Sequence, residues 1–192
     1  MSCDHTQKEH TGITMMDIDI EAEKIAKIAQ LRKTEICQED NGITDMQSFV
    51  VFQRGDVFEC RQSGVDGHPF ESLPDVLSDA FSDGLTEFDT VSIVVDSYVR
   101  LKPVDRIGDY QRGDLAHEYK HNPNSPVSEA LTVATYGYDG ESAGKCVTYV
   151  YNDKGLPEFT IVKEHNEAMV KSEFVDFVMS KFIDFCKRSK TK

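Results

Sequence analysis

The sequence predicts an α+β fold: a single domain with a mainly antiparallel sheet of about five to six strands. Helices near the N-terminus, in the middle and at the C-terminus are expected to pack on one sheet face. Three observations lead there. Apolar residues alternate with a period of two in short runs bounded by Gly, Asn and Asp turns. Three longer stretches carry a helical stripe instead. The strand-like runs also follow one another as hairpins rather than alternating with helices, as a parallel sheet would require.

The chain has 192 residues, 39% hydrophobic and 29% charged, with a net charge of −13. That is long enough for one real core without disulfide or metal staples. Residues 1–14 are polar and without period, so they read as a disordered tail before a domain over 15–192. Cys3, His5 and His10 in that tail are read as incidental ligands rather than a metal cluster. Clustered Lys and Arg drive phosphate binding, so an acidic chain argues against direct nucleic-acid contact and for a basic protein partner. No apolar run approaches a membrane span, and no signal-peptide core precedes the domain. Five cysteines without a C-x-x-C pair suit a reducing compartment, and a soluble cytoplasmic protein is expected. Cys60, Cys146 and Cys186 lie in apolar or alternating runs and read as small buried hydrophobes.

The first helix is expected from about Ile18 to Glu39, with Ile18, Ala22, Ile25, Ala29 and Ile36 as its stripe and Lys33 mostly off it. Asn41-Gly42 stops it. Ser48–Gln53 and Asp56–Arg61 form a hairpin through Arg54-Gly55, the first strand being apolar on both faces. A second helix opens near Ser72 and Pro74 and buries Leu73, Val76, Leu77, Ala80 and Phe81. Its Asp75, Asp79 and Asp83 read as a solvated acidic row.

Thr90–Leu101 is the strongest strand, with Val91, Ile93, Val95, Val99 and Leu101 on one face. Asp96, Tyr98 and Arg100 fall on the other, where Asp96 is expected to pair with Arg100 in solvent. Val127–Tyr136 resumes the alternation. Lys145–Tyr151 and Glu158–Lys163 form a hairpin through Asn152–Gly155, with Val147, Tyr149 and Tyr151 as a core row. The last helix, about Glu173 to Arg188, has an unusually broad apolar face of Phe174, Phe177, Val178, Phe182, Ile183 and Phe185. Such a face needs deep burial or a second surface to meet.

Chemistry is suggested at one place, His117-Glu118-Tyr119-Lys120-His121. Two histidines four apart on a helix reach one metal, and the glutamate between them serves the metal-bound water. The pentad resembles the zincin metalloprotease signature over these five residues. The resemblance implies zinc held by His117 and His121, with Glu118 as catalytic base and a third ligand from Glu141 or Glu158. The local context differs from that signature: Lys120 is a charged spacer, and Asn122-Pro123 ends the helix at once. Leu115 and Tyr119 mark its packing face, so both imidazoles are expected to point to water.

Gln-Arg-Gly-Asp occurs at Gln53–Asp56 and again at Gln111–Asp114. Each contains a tripeptide resembling the integrin-binding adhesion sequence, and each reads as a glycine turn. Phosphate loops, the G-x-S-x-G elbow and deaminase motifs are missing from the sequence. The best reading is a non-catalytic protein-binding or regulatory module without a cofactor. The alternatives are a zinc-dependent hydrolase at the pentad and an acidic decoy that inhibits a DNA-binding protein.

Overall fold

Six strands lie side by side in the order β2-β1-β3-β4-β5-β6, every neighbouring pair antiparallel. They are β1 (Phe49–Arg54), β2 (Val57–Gln62), β3 (Thr90–Arg100), β4 (Val127–Gly137), β5 (Ser142–Tyr151) and β6 (Pro157–Ile161). Among the described residues, four helices complete the single α+β domain: α1 (Ile18–Glu39), α2 (Leu73–Ser82), α3 (Asp114–His121) and α4 (Glu173–Ser189). The computed structural model describes residues 17–62, 73–100, 114–122, 124–161 and 173–190. The tail over 1–14, His68, the Ser72 cap, Pro123 and the Gln111–Gly113 turn therefore lie outside the described residues. Among the described residues, no helix is long and apolar enough to cross a membrane.

The helices cover both faces of the sheet, not one. β1 sends Phe49 and Val51 towards α1, and Val50 and Phe52 into the cluster formed with α2 and α4. β3 and β4 divide in the same way: Val91, Ile93, Val95 and Tyr136 join the second cluster, while Val94, Leu131 and Val133 join the first. A strand that is apolar on successive residues has two faces to take out of water, so a second helical layer is required. Phe182 of α4 anchors that layer. Its ring stacks on Phe88 at 5.7 Å between centroids and meets Phe52 edge-on at 5.9 Å.

Both ends of α1 follow from its sequence. The Asp17 carboxylate accepts the Asp19 and Ile20 N–H groups at the start. At the other end the chain turns left-handed at Asn41, φ 57°, and Gly42 N–H returns to the Cys37 carbonyl at 2.9 Å. The β5–β6 turn comes up against this exit. Gly155 has φ +72°, and a Cβ there would sit 3.0 Å from the Gly42 Cα, so both the conformation and the space call for glycine.

Two further side-chain placements differ from the sequence expectation. Lys33 is fully buried in the α1–sheet interface. Cys60 is exposed, because β2 is the sheet edge and α1 packs mainly over β3, β4 and β5.

Candidate functional site

α3 lies against β3 and β4 through Tyr119, whose ring meets Tyr98 at 5.3 Å. The Tyr119 hydroxyl faces the Glu129 carboxylate at 3.5 Å, the outer limit of a hydrogen bond. Glu118 accepts the Ser125 hydroxyl at 2.7 Å, and Ser125 Oγ accepts the Val127 N–H at 3.0 Å. The carboxylate between the two histidines thus braces the entry into β4. His117 and His121 are exposed. Their rings stack face to face, 4.1 Å between centroids and 27° apart in plane. The Glu141 turn is exposed, and Glu158 accepts the Asn152 amide at 3.2 Å. Among the described residues, no three His, Cys, Asp or Glu side chains gather in a metal-binding group.

A cluster of titratable groups lies elsewhere, on the α1 face of the sheet. Lys33 Nζ donates to Asp96 Oδ2 and to the Thr44 carbonyl, both at 2.6 Å. Asp96 also accepts the Tyr149 hydroxyl at 2.6 Å and the Met46 N–H at 2.9 Å. Its side chain is 5% exposed and that of Lys33 is 0% exposed. Asp96, expected in solvent, is therefore held in a buried ion pair; the side chain of Arg100, its expected partner, lies outside what is described. The reason lies in α1, whose fourth and seventh positions after Ala29 (Lys33 and Ile36) continue its inward stripe across β3. The Lys33 ammonium also lies over the rings of Tyr149 and Tyr151, at 5.1 and 5.6 Å.

Electrostatics follow from this geometry. Burial alone would lower the Lys33 pKa, but the Asp96 charge and hydrogen bond hold it above its ordinary value. Burial, reinforced by the Asp96 charge, raises the Tyr149 and Glu129 pKa values. Tyr98, beside Glu129, is pushed up to about 12, again mainly by burial. Every oxygen of Asp96 is engaged, and neither member of the pair is open to solvent. This constellation therefore works as a latch joining α1, the 44–46 loop, β3 and β5, with no face on which a substrate atom can sit.

Clefts open to solvent at two places among the described residues. One, of about 400 Å³, has a floor of Ile28, Ile36, Met46 and Phe49, with Asp45 and Cys60 on its rim. Partial desolvation at the cleft rim and the neighbouring Glu59 charge raise the pKa of the exposed Cys60, the opposite of what a nucleophilic thiolate needs. The other, of about 460 Å³, runs between α2 and α4. Leu77, Phe81, Val178, Phe182 and Phe185 line it, and Lys181, Asp184 and Arg188 stand at its edge. Alongside it α4 leaves Phe174, Phe177 and Phe185 exposed by 48%, 60% and 57%. At ~100° per residue these three share a stripe with Val178 and Lys181. Val175, Met179, Ile183 and Cys186 form the buried face behind them.

The remaining sequence features are explained locally. Asp83 of the acidic row pairs with Arg61 at 2.7 Å. The first Gln-Arg-Gly-Asp copy forms the β1–β2 turn, where Gly55 has φ 57° and its N–H donates to Asp89 at 2.6 Å. The fold and its clefts define an α+β domain with helices on both faces and an open apolar groove on one of them. No protein-family model, curated protein or solved structure matches the chain.

Proposed function

We propose that this protein is a non-catalytic interaction module that docks an amphipathic helix of a partner protein in the groove between α2 and α4. The observation that carries the reading is the aromatic stripe of α4: three phenylalanines about half exposed beside an apolar cleft. Exposed aromatic surface next to a concave apolar lining is the arrangement on which a partner helix anchors at i, i+3/i+4 and i+7 spacing. The rim supplies the charge preference. Lys181 stands there beside the exposed Phe177 ring, so the docked helix carries a carboxylate on that flank. The net charge of −13 belongs to the whole surface, and it supports long-range attraction of a partner that is basic overall.

Fluorescence anisotropy with labelled amphipathic peptides of equal apolar face and opposite flank charge tests this reading. The acidic-flanked peptide is expected to bind at least ten-fold tighter than the basic-flanked one, and Lys181→Glu to reverse that order. Phe177→Ser is expected to weaken both. Absence of binding, or equal binding of scrambled peptides, overturns the proposal. Concentration-dependent dimerisation abolished by Phe177→Ser would assign the groove to a second copy of this chain instead.

A further inference from the structure

We infer that β2 pairs antiparallel with β2 of a second copy of this chain, joining two sheets across a two-fold axis at Cys60. The inference is independent of the α2–α4 groove. β2 is an end strand of the sheet, and among the described residues no strand pairs with its outer edge. Its Val57 and Phe58 are exposed. The other end strand, β6, opens on Pro157, which has no N–H to offer a further strand. The two-residue turn of Gly55 and Asp56 closes on the Arg54–Val57 pair, so the backbone N–H and C=O groups of Val57, Glu59 and Arg61 turn towards β1. Those of Phe58, Cys60 and Gln62 face outwards, where another antiparallel strand can meet them.

Charge selects the register. Only outward-facing residues can exchange hydrogen bonds with the second strand, which leaves few two-fold alignments. Centring the axis on Glu59 sets that carboxylate against its own copy, and centring it on Arg61 sets two guanidinium groups together. Only an axis at Cys60 sets Glu59 against Arg61 of the second copy, and does so twice. Arg61 is already held along the strand by Glu59 and Asp83 of its own chain. The same register suits the α1 face. Phe58 of the second copy stands beside Gln62, whose neighbour across the sheet is Phe49. Phe49, Met46 and Ile36 floor the cleft that Gln62 and Cys60 border. Each copy thus offers its exposed Phe58 to the open apolar cleft of the other, a self-complementary contact of the kind that closes a dimer.

The test is sedimentation equilibrium of the whole chain with reductant present, so that no disulfide substitutes for strand pairing. Wild type is expected to form a reversible dimer. Glu59→Lys and Arg61→Glu, each alone, set like charges at both cross-strand pairs and weaken the dimer by about ten-fold or more. An equimolar mixture of the two variants sets opposite charges at both pairs again, and a heterodimer close to wild-type affinity is expected. That recovery also shows that neither variant has merely unfolded. Phe58→Ser weakens the dimer, and Phe177→Ser leaves it unchanged. If wild type stays monomeric at about 1 mM, where a Kd of that size would already show, the inference is wrong. It is equally wrong if either charge variant dimerises like wild type, if their mixture does not recover, or if Phe177→Ser abolishes the dimer.

Discussion

Lys33 is the largest fully buried side chain in the described residues, and its neighbours determine what its removal costs. Lys33→Met leaves the Asp96 carboxylate buried with only the Tyr149 hydroxyl and the Met46 N–H. Breaking one side of a buried pair typically costs about 3–5 kcal/mol. Urea unfolding at neutral pH is expected to show a loss of that size. The double variant Lys33→Met/Asp96→Asn is expected to be more stable than Lys33→Met alone, because the uncompensated charge is gone while an acceptor for Tyr149 remains. If the double variant is instead the less stable of the two, the ion pair is not the source of the penalty.

Glu129 carries the opposite sign. Its pKa is raised in the fold, first by burial and then by the Asp96 charge. The folded state therefore holds the proton to higher pH than the unfolded chain, whose glutamates titrate near ~4.3. The contribution of Glu129 is favourable below that value and is lost as pH rises through the raised value. Glu129→Gln is expected to be more stable than wild type at neutral pH, with the difference vanishing in acid. Equilibrium unfolding across pH 4–8 measures it, and a pH-independent difference would contradict the assignment.

At the scale of elements, α4 divides its phenylalanines between two tasks, and substitution separates them. Phe182 is packed between Phe52 and Phe88, so Phe182→Ala should cost about 3–5 kcal/mol. Phe177 is 60% exposed, and Phe177→Ser should change stability by no more than about 0.5 kcal/mol. Thermal unfolding of the two variants checks both values. A large loss at Phe177 would mean that the stripe is structural and that the groove reading lacks its main support.

The same helix shows what periodicity resolves. Its excess of apolar residues is plain in the sequence, but which of them are inward depends on where the sheet lies. α1 gives a related lesson. Lys33, which the sequence reading places mostly off the stripe, falls four residues after Ala29, in step with Ala22, Ile25 and Ile36. Only the charge of the side chain argues against an inward position, and the partner that overrides that argument, Asp96, lies 63 residues away. A pairing of that separation leaves no local trace. α3 is the opposite case: its length, its packing residue Tyr119 and the exposure of both histidines follow from the pentad and the proline after it. The sequence does not show that Glu118 turns to Ser125, because a side-chain contact seven residues ahead depends on how the chain enters β4.

For the molecule as a whole, the strand order and two-sided burial follow from a few local decisions. Hairpins at Gly55, Gly140 and Gly155 fix three neighbours, and the eleven-residue ladder between β3 and β4 joins the two halves of the sheet. Apolar residues on successive positions of β1, β3 and β4 then require cover on both sides. The composition carries the net acidity but not its placement. The cations beside the α2–α4 groove come from α4: Lys181 at its middle and Arg188 in its last turn, where a positive charge also suits the helix dipole.

The close approach of Gly155 to Gly42 also bears on how the chain can be edited. Nothing lies within 4 Å of the Cβ position at Gly55 or Gly140, so these hairpin tips face open space. Extra residues there lengthen a loop at little entropic cost. The tip at Gly155 is wedged against the exit of α1, and an insertion there pushes on the helix that carries Lys33. Tags, reporters and new termini therefore belong at the first two tips.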